Sequence, residues 1–133
     1  MKVLYRPSVN IGIYEMVIGR LLQISDKGQA ELSVMLDIID LVALAVLEGK
    51  ERGFTGADCA VYPHGIRGIR HHLINLFYTH EDKALIPSED AIKKALTALN
   101  RAEMILKNPE GRHLYLTLSD SLEGIIFEDW VKP

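Results

Sequence analysis

The chain has 133 residues, a length that fits one domain able to bury a sizeable core. Hydrophobic residues make up 48% of it and charged residues 25%, which argues against intrinsic disorder. The formal net charge of −3 argues against a protein that binds nucleic acid over its whole surface, but it leaves a local basic patch open. The one cysteine, Cys59, cannot form an intramolecular disulfide, which fits a reducing compartment.

The sequence predicts a cytoplasmic protein that does not span a membrane. The N-terminal residues lack the long apolar run of a signal peptide. The most apolar stretch, residues 32–47, contains Asp37 and Asp40 and is shorter than the ~20 residues that a membrane-spanning helix needs.

The first elements of the chain are less regular. Residues 2–6 are predicted to form a short strand that ends at Pro7. Between residues 9 and 24, apolar side chains recur at helical spacing, at Ile11, Tyr14, Val17, Ile18, Leu21 and Leu22. Two glycines and several β-branched residues weaken the helix there, and a pair of strands is the alternative, so both interpretations stay open.

A central helix is predicted over residues 29–48. Its apolar residues cover most of the circumference, which is typical of a helix at the centre of a core. The expected end is at Gly49, which is followed by Lys50, Arg52 and Gly53. Ser33, Asp37 and Asp40 form the one polar strip, which we interpret as a solvent-facing strip or a structural ion pair, with a coupled carboxylate pair as the functional alternative.

Two further helices and a C-terminal hairpin are predicted. One helix runs from His64 to Tyr78, and the other begins at the N-cap Ser88 and ends at Lys107. Residues 114–118 alternate like a strand, residues 119–121 form a turn, and residues 125–127 belong to a second strand. The predicted fold is therefore α+β, with about four helices around helix 29–48 and a small antiparallel sheet made from the N-terminal strand and the C-terminal hairpin.

The segment from residue 64 to residue 80 is the candidate functional region, because four of the five histidines lie there together with two arginines. On a helix, Arg67 and His71 are i, i+4 neighbours on a side that Tyr78 shares, away from the apolar face. An arginine fork and an imidazole can hold one anion between them. The predicted ligand-binding residues are His64, Arg67, Arg70, His71, His72 and Tyr78. The alternative is an ordinary solvated helix face.

No metal or cofactor is predicted, and no residue is assigned as catalytic. The histidines, Cys59 and Asp82 do not have the spacing of a known type of metal site. His71 and His72 are adjacent, so on a helix they diverge by roughly 100° and are poorly placed to share one ion.

The hexapeptide from Arg67 to His72, Arg-Gly-Ile-Arg-His-His, resembles the Arg-x4-6-His motif of HEPN-family ribonucleases. The resemblance implies a small helical protein, often dimeric, in which Arg67 and His72 cut RNA without metal. The chain departs from the family pattern at Gly68, where a polar residue is usual, and in its C-terminal strands. Helical geometry also puts His71, rather than His72, on the face of Arg67.

The expected function is that of a small, cytosolic, non-catalytic binding or regulatory protein that acts as a homo-oligomer, with an anion- or nucleotide-binding face. A phosphate-containing ligand or a protein is the expected partner. The alternative is a HEPN-like ribonuclease or another enzyme for phosphate ligands that uses Arg67, His71 and His72. An enzyme should hold these groups in a concave pocket, whereas a binding protein should present them on an open surface.

Overall fold

Three α-helices and an antiparallel β-hairpin make up most of the computed structural model, which describes residues 19, 21–22, 30–53, 65–110 and 113–119. Helix α1 spans Leu32–Glu51, α2 spans Gly65–Phe77 and α3 spans Glu89–Arg101. A 3-10 helix, His80–Leu85, lies between α2 and α3. Strand β1 spans Ile105–Glu110 and β2 spans His113–Leu118. Helices and a small antiparallel sheet are the combination that the sequence predicted.

Helix α1 is the centre of the described core. It contacts α2, α3 and β2, so it is enclosed on several sides. Its buried apolar residues are Val34, Met35, Ile38, Ile39, Leu41, Val42, Ala43, Leu44, Val46 and Leu47. An apolar surface that covers most of a helix is stable in water only when neighbouring elements cover it too, which explains why this sequence takes the central place.

The end of α1 lies beyond the predicted stop. Gly49 is part of the helix, and the backbone N–H of Arg52 still donates to the carbonyls of Glu48 and Gly49. Gly53 follows with a φ of 79°, a left-handed conformation that glycine adopts without a steric penalty. The predicted end at Gly49 is therefore wrong, and Gly53 is the glycine that ends the helix.

The start of α3 confirms the predicted N-cap. The Ser88 side chain accepts a hydrogen bond of 3.1 Å from the backbone N–H of Ala91, and Glu89 and Asp90 occupy the first turn. Apolar residues at helical spacing face the core, namely Ile92, Ala95, Leu96, Ala98 and Leu99.

The predicted C-terminal end of this helix is wrong, because α3 ends at Arg101 and not at Lys107. The N–H of Met104 donates to the carbonyl of Leu99, and the N–H of Glu103 donates to that of Asn100. This is the Schellman pattern, in which the residue after the cap turns left-handed. Glu103 occupies that position with a φ of 58°. Glycine or asparagine usually occupies this left-handed position. Because Glu103 occupies it here, the sequence gives no sign that the helix ends.

The strand that follows was not predicted. The predicted helix included Ile105, Leu106 and Lys107, but residues 105–110 pair with β2 in register from Ile105 with Leu118 to Glu110 with His113. Leu116, Leu118 and Ile105 are buried in the core. The predicted strand at 114–118 is confirmed as β2, with β1 as its partner. The predicted strands at 2–6 and 125–127 lie outside the described residues.

The remaining early residues give a partial result. Gly19, Leu21 and Leu22 have helical conformation, and Leu21 is fully buried. The rest of the segment 9–24 lies outside the described residues. Among the helices that the structure describes, none is long and apolar enough to cross a membrane.

Candidate functional site

Helix α2 has one buried edge and one exposed edge. Ile69 and Leu73 are buried in the core that α1 and α3 also line. On the other side, Arg67, His71 and Asn75 are all exposed, at positions i, i+4 and i+8. We call these three residues the α2 stripe. Successive members stand about 6 Å apart along the helix axis, so their side chains can reach a common ligand.

The side chains of the α2 stripe are exposed and carry polar or charged groups. No hydrogen bond or ion pair of Arg67, His71 or Asn75 side chains is recorded within the described part of the chain. The sequence of α2 contains no aspartate or glutamate that would neutralise its arginines from within the helix. Guanidinium, imidazole and amide groups supply hydrogen-bond donors, and the guanidinium is always charged. The stripe can therefore accept an anion.

Arg70 is partly committed to the fold. Its Nε donates a hydrogen bond of 3.0 Å to the backbone carbonyl of Pro87, seventeen residues along the chain. The side chain is half-buried, and the bond connects α2 to the segment directly before α3. Arg70 therefore lies beside the stripe, with one side of its guanidinium used in a structural contact.

Tyr78 is held against the central helix. Its hydroxyl donates a hydrogen bond to a carboxylate oxygen of Asp37 in α1, and the tyrosine is half-buried. The sequence grouped Tyr78 with Arg67 and His71, because positions 67, 71 and 78 share a helical face. Tyr78 directly follows the last residue of α2, and its backbone N–H still donates to the carbonyl of Ile74, but its hydroxyl reaches Asp37 of α1. The structure therefore places Tyr78 in a different environment from the α2 stripe.

The interpretation of the α1 polar strip as solvent-facing is wrong for both aspartates. Asp37 is 7% exposed and Asp40 is 0% exposed. Burial of an ionised carboxylate is costly unless hydrogen bonds or opposite charges compensate it. Asp37 has Tyr78, Asp40 also has a polar partner, and every buried side-chain nitrogen or oxygen among the described residues is satisfied. The pairing with Tyr78 joins residues 41 positions apart, a separation at which the sequence carries no signal.

The remaining predicted site residues do not converge with Arg67. His72 is half-buried, and five residues at 100° each place it roughly 140° around the helix from Arg67. His64 lies outside the described residues. Within the described residues there is also no cluster of three histidine, cysteine, aspartate or glutamate side chains that could hold a metal ion.

Asn75 is the functional candidate that the sequence prediction left out of the site. Its exposure and its spacing from His71 put it in line with the other two members of the stripe. The signal was present, because positions 67, 71 and 75 follow the i, i+4 rule.

Comparisons of the chain with protein-family models, with curated proteins and with solved structures find no match. The resemblance of residues 67–72 to HEPN ribonucleases thus has no support from a family match. The α2 stripe is therefore interpreted from the chemistry and exposure of Arg67, His71 and Asn75.

Proposed function

We propose that this protein is a small, non-catalytic, cytoplasmic binding or regulatory protein that takes an anionic, phosphate-containing ligand on the α2 stripe and acts as a homo-oligomer. One observation carries the proposal. Arg67 and His71 stand side by side on an exposed helical edge, while Ile69 and Leu73 on the opposite edge are buried in the core.

The arrangement favours binding over catalysis. A metal-independent ribonuclease of the type that the motif resembles needs Arg67 and His72 at one phosphate, and these side chains leave the helix in directions roughly 140° apart. Acid–base catalysis also needs a group within hydrogen-bond reach of the proton that it transfers. The pair that does share an edge, Arg67 and His71, lies in solvent, which weakens electrostatic stabilisation of a transition state.

Self-association is proposed on a separate observation. Leu85 in the 3-10 helix is 70% exposed and Leu22 is 52% exposed. An isolated exposed leucine is ordinary, but contact between copies would remove this apolar surface from water. Sedimentation equilibrium at micromolar concentration is the measurement, and a clean monomer mass would refute the homo-oligomer.

Retention of labelled ligands by the immobilised protein tests the binding function. Single-stranded RNA should be retained without metal, and less so as salt rises.

The test requires a matched control for the loss of two basic side chains. In the double variant Arg67→Ala/His71→Ala retention should disappear, whereas Lys93→Ala/Arg101→Ala removes two exposed basic residues of α3 and should leave it unchanged. If the wild type cleaves RNA and Arg67→Ala/His71→Ala does not, the ribonuclease is the correct function and the non-catalytic binding protein is refuted. Retention that is equal in both variants would refute the α2 stripe as the site.

A further inference from the structure

We infer that the ligand of the α2 stripe is a linear phosphate polyanion that contacts several copies of the protein at once, rather than a single mononucleotide. The inference rests on the proposed function and adds the class of ligand. The reason is the limited affinity that the exposed side chains of one α2 stripe can supply.

One α2 stripe is too weak to hold a small ligand. Each exposed charge contact raises an affinity by a factor of up to about five. Even if the neutral amide of Asn75 contributed as much as the charged contacts of Arg67 and His71, the three together would give roughly a hundredfold. A Kd of 1 mM requires about a thousandfold relative to the 1 M standard state. Arg70 adds little, because its Nε is already bonded to Pro87 and holds the guanidinium beside the segment before α3.

A repeated anion overcomes this weakness. A long chain that touches the stripes of several copies converts later contacts into intramolecular ones, which raises the overall affinity without any new kind of contact. Release of the counterions that surround a polyanion adds a further favourable contribution. The homo-oligomer of the proposed function supplies the several copies.

The other described helices do not present an equivalent surface. On α3, the exposed Lys94 forms an ion pair of 3.2 Å with Asp90. On α1, Glu48 and Glu51 are the exposed charged residues among those whose side chains the structure describes, and both are acidic. Within the described helices, α2 alone carries basic residues and no acidic ones. A polyanion would therefore meet attraction along α2 and repulsion or mixed charge on its neighbours.

Phosphate is favoured over carboxylate as the repeating group. The two oxygens of a carboxylate lie in one plane and match the two parallel donors of a single guanidinium. The non-bridging oxygens of a phosphate point in different directions, so that one can accept from Arg67 and another from His71, about 6 Å along the axis. The backbone of RNA and inorganic polyphosphate share this chemistry, and an acidic polypeptide does not.

A length series is the experiment. The intact protein is titrated, by competition with a fluorescent oligomer, with AMP, inorganic polyphosphate of increasing length, homopolymeric RNA of increasing length and polyglutamate. AMP should bind with a Kd above about 1 mM, and the longest phosphate chains should bind at least a hundredfold more tightly per phosphate. Arg67→Ala/His71→Ala should lower polymer affinity at least tenfold, and Lys93→Ala/Arg101→Ala should change it less than twofold.

The outcomes separate the inference from the proposed function. AMP bound as tightly as the polymers, with binding lost in Arg67→Ala/His71→Ala, would overturn the polyanion and leave the anion site standing. Polyglutamate bound as well as the phosphate polymers would also overturn it, in favour of an acidic protein partner. If no probe binds, or if Arg67→Ala/His71→Ala leaves polymer binding unchanged, both the anion site and the polyanion ligand are overturned. Binding of RNA alone or of polyphosphate alone would support the inference and identify the source of the phosphate chain.

Discussion

Helices α1 and α2 each carry a line of polar residues at helical spacing, and the two lines have opposite environments. On α1, Asp37 and Asp40 are 7% and 0% exposed. On α2, Arg67 and His71 are exposed. The difference comes from the number of neighbours, since α1 contacts α2, α3 and β2, whereas α2 packs through a single apolar edge. A polar line in a sequence therefore indicates an open surface only when the helix has a side that nothing covers.

The two lines also differ in what their side chains bind. A buried carboxylate must find its partners within the protein, and Asp37 finds the Tyr78 hydroxyl. An exposed guanidinium can stay hydrated until a ligand arrives. We therefore assign the α1 line to stability and the α2 stripe to binding, and each variant below tests one side of that division.

The largest effect is expected in the apolar surface of α1. Ile39 is 2% exposed, and Ile39→Ala should lower the free energy of unfolding by about 2–5 kcal/mol, because it removes buried methyl groups and leaves a cavity. Reversible denaturant unfolding measures it, with Ser33→Ala at an exposed position of the same helix as the control, expected within about 0.5 kcal/mol. A loss below half a kilocalorie for Ile39→Ala would remove α1 from the centre of the core.

The next effect concerns the hydrogen bond between α1 and the end of α2. Tyr78→Phe keeps the ring and removes the donor to Asp37, and it should cost about 1.5–3 kcal/mol because the acceptor is a buried carboxylate. Asp37→Asn and the double variant complete a thermodynamic cycle that isolates the interaction between the two side chains.

The exposed Asn75→Ala is the matched control for that cycle, since it removes a polar group of α2 that has no recorded partner among the described residues. If Tyr78→Phe and Asn75→Ala were equally harmless, the distinction between the buried and the exposed polar lines would fail.

A smaller effect of opposite sign is expected at the end of α3. Glu103 is exposed and has a φ of 58°, so Glu103→Gly should raise the free energy of unfolding by about 0.5–1 kcal/mol as backbone strain is relieved. Glu103→Ala separates this from the loss of charge, because alanine keeps the steric penalty. Equal stability of the two variants would show that the left-handed turn costs nothing.

The smallest effect on stability is expected in the α2 stripe. Arg67→Ala/His71→Ala changes two exposed side chains that lie off the apolar edge, so unfolding should shift by less than about 0.5 kcal/mol. A loss above 1 kcal/mol would mean that the stripe contributes to the fold, and its assignment as a binding surface would lose its basis.

The sequence predicted the elements whose signals are local. The continuous apolar surface of α1, the Ser88 cap and the alternation of residues 114–118 each follow from neighbouring residues, and each is found. The α3 end was missed because Glu103 takes a conformation that glutamate rarely adopts, and because Leu106 continues the helical spacing of the apolar residues of α3.

In the candidate site, too, features set by neighbouring residues could be predicted, and features set by contacts between distant residues could not. The spacing of Arg67 and His71 gave the exposed edge of α2 directly. The environment of Asp37 and Tyr78 depends on a contact across 41 residues, and that of Arg70 on Pro87, seventeen residues away. Such contacts are set by how the helices pack, which the residue pattern of either helix alone does not specify.

The most direct test compares Arg67→Ala/His71→Ala with Tyr78→Phe in two measurements. Binding is measured without denaturant, where each variant is folded, and stability is measured by denaturant unfolding. The account predicts that the first variant unfolds like the wild type and loses at least tenfold in affinity for long phosphate polymers. The second should unfold more easily and bind them with unchanged affinity. A first variant that binds like the wild type, or a second that loses binding while folded, would contradict the division between a stabilising α1 line and a ligand-binding α2 stripe.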